Sequence, residues 1–180
     1  MRELFEVFPA ALSDQEIADI IAAALQQPAQ DGTIFSSADD LKDMRRSSIR
    51  WLPDAWVRDL LWGYVQDANE ASFQVDVHHQ ADLQFTEYHA NVGGHYDWHH
   101  DVQWYGQTGV DRKLSVTVQL SDPETYDGGG IEFEDVQTTT DFTQRGTILI
   151  FPSYLRHRVL PVTRGTRQSL VAWFTGPSWR

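Results

Sequence analysis

Near residue 73 the apolar residues change their spacing, and that change limits the folds open to the chain. Before it, apolar positions recur with a helical period; after it, they alternate. Phe73-Val75-Val77 and Leu83-Phe85 alternate, and Leu114-Val116-Val118-Leu120 does so over a longer run. Residues two apart in an extended chain share a face, so each run describes a strand with one apolar side. Further short strands are predicted at Ile131–Glu134, Thr138–Phe142, Thr147–Phe151, Arg156–Val162 and Ser169–Thr175. Asp127-Gly128-Gly129-Gly130, Arg145-Gly146 and Arg164-Gly165 mark turns between them. Roughly eight short strands with such punctuation predict an antiparallel sandwich or barrel rather than alternating β-α units. The glycines at 128–130 lack the Lys-Ser/Thr of a phosphate loop and lie between strands, so they form a turn.

The first 72 residues read as helical. Ser13 with Glu16 is a capping box, and Ile17, Ile20, Ile21, Ala24 and Leu25 then fall on one helical face. Pro28, Asp31 and Gly32 end that helix, and the polar stretch from Gln30 to Ser48 reads as a loop. A second helix is predicted from Pro53–Asp54 to about Asn69, with Trp56, Leu60, Leu61 and Tyr64 on the face that packs against a sheet. No internal repeat or linker divides the chain, so one domain is expected.

Composition removes several kinds of function. Fourteen basic residues against 26 acidic ones leave a formal charge of −12, a field that repels phosphate backbones. Cysteine is absent, which excludes disulfides, zinc fingers and thiol catalysis. Any metal must therefore be held by His and carboxylate. No apolar run has membrane-spanning length and the N-terminus carries no cleavage signal, so a cytoplasmic protein without membrane contact is expected.

Six of the seven histidines lie between His78 and His100, most densely in Gly93-Gly94-His95-Tyr96-Asp97-Trp98-His99-His100-Asp101. Imidazole and carboxylate together suit a divalent transition metal, and two His with one carboxylate leave coordination positions open. Spacing does not choose between His95-x-Asp97 and His99-x-Asp101, because all four residues are odd and share a face in an extended chain. The third ligand must come from elsewhere, and His157 is the one histidine beyond His100. Arg167 follows ten residues later, and antiparallel pairing across Pro161–Gly165 would bring its strand beside His157. A guanidinium fork suits a dicarboxylate, to which it donates two parallel hydrogen bonds.

Tyr88…Gly93-Gly94-His95-Tyr96-Asp97-Trp98-His99-His100-Asp101, then Leu120-Ser121-Asp122 and Tyr126-Asp127-Gly128-Gly129, then Gly146…Phe151-Pro152-Ser153…His157…Gly165…Arg167, form one ordered series. This series resembles the prolyl 4-hydroxylase branch of the Fe(II)/2-oxoglutarate-dependent oxygenases, in its small bacterial and phage form. The likeness runs from about Gln84 to Trp173. It implies a mainly β fold with α: a double-stranded β-helix (jelly-roll, cupin-like) core with N-terminal helices packed on one sheet. Residues 1–180 would be a single domain, helical over 1–72 and β-helical over about 73–176. The resemblance selects His99, Asp101 and His157 as iron ligands and catalytic residues. It implies that Arg167 clamps 2-oxoglutarate, that Tyr88 lines the co-substrate pocket, that Ser169 assists, and that Trp173 walls it. Two departures stand out: Gly130 where many relatives have Glu, and Gln119 where a co-substrate tyrosine often sits.

The implied reaction consumes O₂ and decarboxylates 2-oxoglutarate to succinate while hydroxylating a C–H bond, with ascorbate as an optional further reductant. By analogy the substrate is a prolyl residue in a peptide or protein; a free amino acid or other small molecule is the alternative. A cupin-like metalloenzyme or binding module without 2-oxoglutarate is disfavoured by Arg167 and by the complete ligand set. Nucleic acid is not expected, since Trp173 stands where demethylases of the superfamily carry a second arginine. His95, Asp97, Trp98, His100 and Gln103 are candidates for groups around the metal or facing substrate. Oligomeric state is left open, as is any role for Arg50.

Overall fold

Ser13 starts the first helix as its spacing predicts. Its hydroxyl accepts the Glu16 N–H at 3.3 Å, and the Glu16 carboxylate accepts the Ser13 N–H at 2.8 Å, so two free donors at the helix start are satisfied. The structure is a computed structural model that describes residues 4–32, 44–102, 109–134, 136 and 142–179. Most of the expected strand Thr138–Phe142 lies outside the described residues, as does Gln103.

Helix α1 spans Asp14–Leu25 and buries Ile17, Ile20 and Ala24. Helix α2 spans Ala55–Ala68, and its buried face is Val57, Leu61, Val65 and Ala68. That face is turned by about one residue from the expected one, and Trp56 is exposed. The compact aliphatic side chains lie flat on the sheet, while Tyr64 reaches sideways to donate to the Ala11 carbonyl at 3.1 Å. Beyond Ala68 the helix widens into a π turn over Asn69–Phe73. The alternating Phe73-Val75-Val77 segment is not a strand. Its hydrogen bonds go instead to the Asn69 side chain, which takes the Val75 N–H at 2.9 Å and donates to the Val75 carbonyl at 3.0 Å. Alternation there only turns the three side chains toward the core.

The strands are β1 (Glu6–Phe8), β2 (Gln30–Asp31), β3 (Arg45–Arg46), β4 (Ser48–Leu52), β5 (Ala81–His89), β6 (His95–His99), β7 (Val110–Gln119), β8 (Asp127–Gly128), β9 (Ile131–Phe133), β10 (Ile148–Pro152), β11 (His157–Val159), β12 (Val162–Arg164) and β13 (Thr166–Pro177). A large sheet runs in the order β1-β10-β7-β13-β5-β4-β2, a smaller one β3-β6-β11-β9, and β12 pairs with β8. All pairings among the described strands are antiparallel. The single strand expected over 156–162 is two, because the chain turns at Leu160-Pro161 and leaves the small sheet to meet β8. The stretch from Gln30 to Ser48, expected as loop, contributes β2 and β3, and β4 follows directly. Thus β1 and β4, from within the first 72 residues, extend the large sheet.

Period-two alternation divides the large sheet into two unlike faces. Leu83 and Phe85, Leu114, Val116 and Val118, Ile148 and Ile150, and Leu170, Ala172 and Phe174 form the core with both helices. The intervening residues include a buried polar set, Gln84 and Thr86, Ser115 and Gln119, Arg167 and Ser169, beside the apolar Leu149, Phe151 and Trp173. That second face looks toward the small sheet. Among the described residues no helix is long and apolar enough to cross a membrane.

Leu170 sits on the central strand, fully buried between sheet and helices. Leu170→Ala is expected to cost about 2–5 kcal/mol, read as a lower urea midpoint with an unchanged slope of unfolding free energy.

Candidate metal centre

His99 and His157 are cross-strand partners on β6 and β11, with ring centroids 4.2 Å apart. The Nδ1 of each faces a backbone carbonyl, that of Asp97 at 2.7 Å and that of Leu155 at 2.9 Å. An Nδ1–H given to those carbonyls leaves each Nε2 as the free lone pair. Both Nε2 atoms point at Asp101, His99 at 3.6 Å from Oδ1 and His157 at 3.7 Å from Oδ2. Ligand atoms of the three residues lie within 4.8 Å of one another, a grouping the described residues form nowhere else.

A bulge decides which histidine and aspartate converge. Register passes from His157↔His99 to Val159↔Tyr96, so three intervals of β6 oppose two of β11. Parity is reset there, and Tyr96 stacks flat on His99, centroids 3.4 Å apart at 6°. Asp97 faces outward, and its carboxylate accepts the Trp98 N–H at 2.8 Å. His95 Nδ1 is 2.7 Å from the Gly93 carbonyl, and His100 Nδ1 is 2.8 Å from the Tyr154 carbonyl. The shared face that equal spacing suggested for His95, Asp97, His99 and Asp101 therefore does not exist.

Asp101 follows the end of β6 and is held from two sides. Its N–H donates to the Ser153 carbonyl at 3.0 Å, and its Oδ2 accepts the Ser115 hydroxyl at 2.6 Å. Ser115 is in turn 2.9 Å from the Ser153 hydroxyl. Burial would raise the Asp101 pKa, but the His157 and His99 imidazoles, the Ser115 hydroxyl and the Trp173 indole together hold it below the ordinary value. The Trp173 N–H favours the charged carboxylate from close by without making a hydrogen bond of normal geometry. Burial, with the neighbouring His157, pushes His99 down to about 3. A neutral imidazole is the form that binds metal.

One side of the cavity is built on β13. Arg167, Ser169, Val171 and Trp173 alternate inward and share the cavity with Tyr88, Tyr96 and the three clustered residues. Arg167 is 3 % exposed, and its Nε donates to Gln119 Oε1 at 3.1 Å. Gln119 is oriented by its own amide, which donates to the Ser121 carbonyl and the Tyr126 hydroxyl. Tyr88 faces Arg167 across β5 and β13, with the guanidinium carbon 5.7 Å from its ring centroid. Gly129, at φ 65°, leaves room for this side chain, since a Cβ would come within 2.8 Å of Arg167 Cδ. One expectation needs correction: Arg167 is not on a strand paired with His157. β13 belongs to the large sheet and β11 to the small one, so the two residues face each other across the cavity.

Residues 83–175 match the family model of the 2OG-Fe(II) oxygenase superfamily. The chain belongs to that superfamily. A PKHD-type hydroxylase of Xanthomonas campestris pv. campestris is 42% identical over 69 residues, which is 38% of this chain and 30% of that protein. One from Hyphomonas neptunium is 42% identical over 84 residues, 45% of this chain and 38% of the other. The chain thus spans well under half the length of these curated relatives. Among solved structures, the viral collagen prolyl hydroxylase of Paramecium Bursaria Chlorella virus-1, as its 2OG complex, superposes with a TM-score of 0.71. It is 21% identical, with 97% of both chains covered. A Trichoplax adhaerens prolyl hydroxylase in complex with a hypoxia inducible factor peptide fragment gives 0.73 at 15% identity, covering 95% of this chain and 83% of that one. The shared fold is the double-stranded β-helix expected from the sequence. The superfamily's Fe(II) fits the donor set, since two neutral imidazoles and one carboxylate suit it and leave positions open.

Sequence reasoning missed Ser115, Ser153 and Tyr126, which hold Asp101 and Gln119, and Arg45, which reaches the same cavity. Ser115 alone had a local signal, as a polar residue within the alternating apolar run of β7; Ser153, Tyr126 and Arg45 lie outside any such run. Metal-free protein should lose stability as pH falls from 6.5 toward 3. Unfolded His99 takes up a proton near 6.5, whereas the folded residue resists until about 3. Urea unfolding in the presence of a chelator checks this, and His99→Gln should flatten the slope across that window.

Proposed function

We propose that this chain is an Fe(II)- and 2-oxoglutarate-dependent dioxygenase that hydroxylates a C–H bond, with a prolyl side chain in a peptide or protein as substrate. Residues 1–180 would form one such domain, its helices drawn from residues 1–72 and its β-helical core from about 73–176. The observation that carries the reading is the convergence of His99, Asp101 and His157 with the buried Arg167 in one cavity. The iron with 2-oxoglutarate and O₂ supplies the oxidising chemistry; the protein supplies position and exclusion of water.

In this reading His99, Asp101 and His157 hold the metal through Nε2, a carboxylate oxygen and Nε2. Arg167 clamps the distal carboxylate of 2-oxoglutarate, with its terminal nitrogens free among the described residues to donate in parallel. Gln119 occupies the remaining donor of Arg167 and fixes the fork's direction. Tyr88 and Ser169 border the co-substrate, and Trp173 walls the cavity toward the outer groove, where Trp51 lies beside it at 6.1 Å between centroids. Fold similarity to a hydroxylase bound to a peptide supports a peptide substrate.

Conversion of 2-oxoglutarate to succinate with Fe(II) tests the assignment, and His99→Ala is expected to abolish it. Prolyl peptides incubated with the enzyme should gain the mass of one oxygen atom. No turnover with any substrate, and no binding of 2-oxoglutarate to metal-loaded protein, would sink the reading. Ser115→Ala should weaken metal binding about 10-fold or more by freeing the Asp101 carboxylate; titration of Mn(II) into chelator-treated protein measures this.

A further inference from the structure

Surface arginines of this acidic chain find carboxylates, as Arg50 does with Glu87, Arg112 with Asp82 and Arg158 with Glu132. Arg45 and Arg167 do not. Both are buried, at 8 % and 3 % exposure, and among the described residues neither meets a carboxylate within ion-pair distance. Each is instead tied to the oxygen of a buried glutamine: Arg167 to Gln119, and Arg45 to Gln84 at 2.7 Å. Ser47 accepts the Arg45 Nε–H at 2.8 Å, which leaves its other donors unspent among the described residues. Burying an unpaired cation is costly. With 26 acidic residues available to the chain, the cost points to a charge kept for a ligand.

The two arginines serve different spaces. Arg167 borders the inner cavity, whereas Arg45 borders that cavity, the outer groove lined by Trp51 and Arg112, and a further cavity lined by Gln30, Ser48 and His89. Its guanidinium carbon lies 4.6 Å from the centroid of Tyr96, the ring that stacks on His99. A group bound by Arg45 would therefore sit beside the metal on the side from which the primary substrate enters.

We propose that Arg45 is a specificity-determining residue that binds a carboxylate carried by the primary substrate close to the carbon being hydroxylated. This rests on the oxygenase reading and narrows it to an anionic substrate. The carboxylate has two sources, the α-carboxylate of a free amino acid or an Asp or Glu side chain flanking the reactive residue of a peptide. Charge-assisted hydrogen bonds to a guanidinium are worth about tenfold in affinity or more over neutral ones.

Binding is measured by NMR saturation transfer on protein loaded with Mn(II)-free Zn(II) and 2-oxoglutarate, a state without turnover. The probes are L-proline against L-prolinamide, and proline-containing peptides in pairs that differ by Glu or Gln beside the proline. At least one carboxylate probe should bind about tenfold tighter than its amide; which pair does so identifies the source. Arg45→Gln should erase the difference, lowering carboxylate-probe affinity at least about tenfold more than 2-oxoglutarate affinity, and Arg45→Lys should keep part of it. Equal binding of acid and amide by the wild type overturns the proposal whether or not the variants fold. So does discrimination that survives Arg45→Gln, or an Arg45→Gln variant whose main loss is 2-oxoglutarate. Failure of the loaded wild type to bind 2-oxoglutarate is a separate result, and it overturns the oxygenase reading itself.

Discussion

The Asp101 carboxylate joins the two sheets at the point where the chemistry is assembled. It leaves the end of β6, takes a hydroxyl from Ser115 on β7, and its backbone N–H reaches the Ser153 carbonyl just past β10. This buried anion thereby fastens the small sheet to the large one, alongside the Arg45–Gln84 bond between β3 and β5. Desolvation of that anion is expensive, and burial keeps the pKa of His99 beside it far below the ordinary imidazole value. A divalent ion is the counter-charge that would complete this arrangement, and its binding would then be coupled to the seating of one sheet on the other.

The same constraint explains why the inner face of the large sheet carries buried polar residues. Gln84, Arg167 and Ser169 line the cavity, and Ser115 and Gln119 on the same face bond Asp101 and Arg167. Gln119 is fixed by Tyr126 and Ser121 and then presents its oxygen to Arg167, as Gln84 presents its own to Arg45. Strand alternation thus does two jobs. One set of side chains fuses the sheet to α1 and α2, and the other lines a cavity whose groups are held before any ligand arrives.

Much of this was legible in the chain. The capping box of Ser13, the strands containing Leu83, Leu114–Leu120 and Ile148–Phe151, and the outlying pair His157 and Arg167 follow from patterns only a few residues long. Features settled by distant partners were not legible. The short strands β1, β2 and β3 exist because a neighbour pairs with them, and β4 lacks a full alternating run of its own. Phe73-Val75-Val77 alternates like a strand, yet Asn69 captures its backbone.

By itself the sequence determined the residue types and the local periods: a helical first part, alternating strands, a cluster of histidine and aspartate, and a family likeness that singled out His99 and Asp101. Tertiary structure alone decided how these meet. The bulge between Tyr96 and His99 reset parity and separated His99 from His95 and Asp97. The turn at Leu160-Pro161 sent His157 and Arg167 to opposite sheets, and Arg45 came to the cavity from a short edge strand. The physical reason is that periodicity is a property of neighbouring residues, whereas register and facing depend on contacts between residues far apart in the chain.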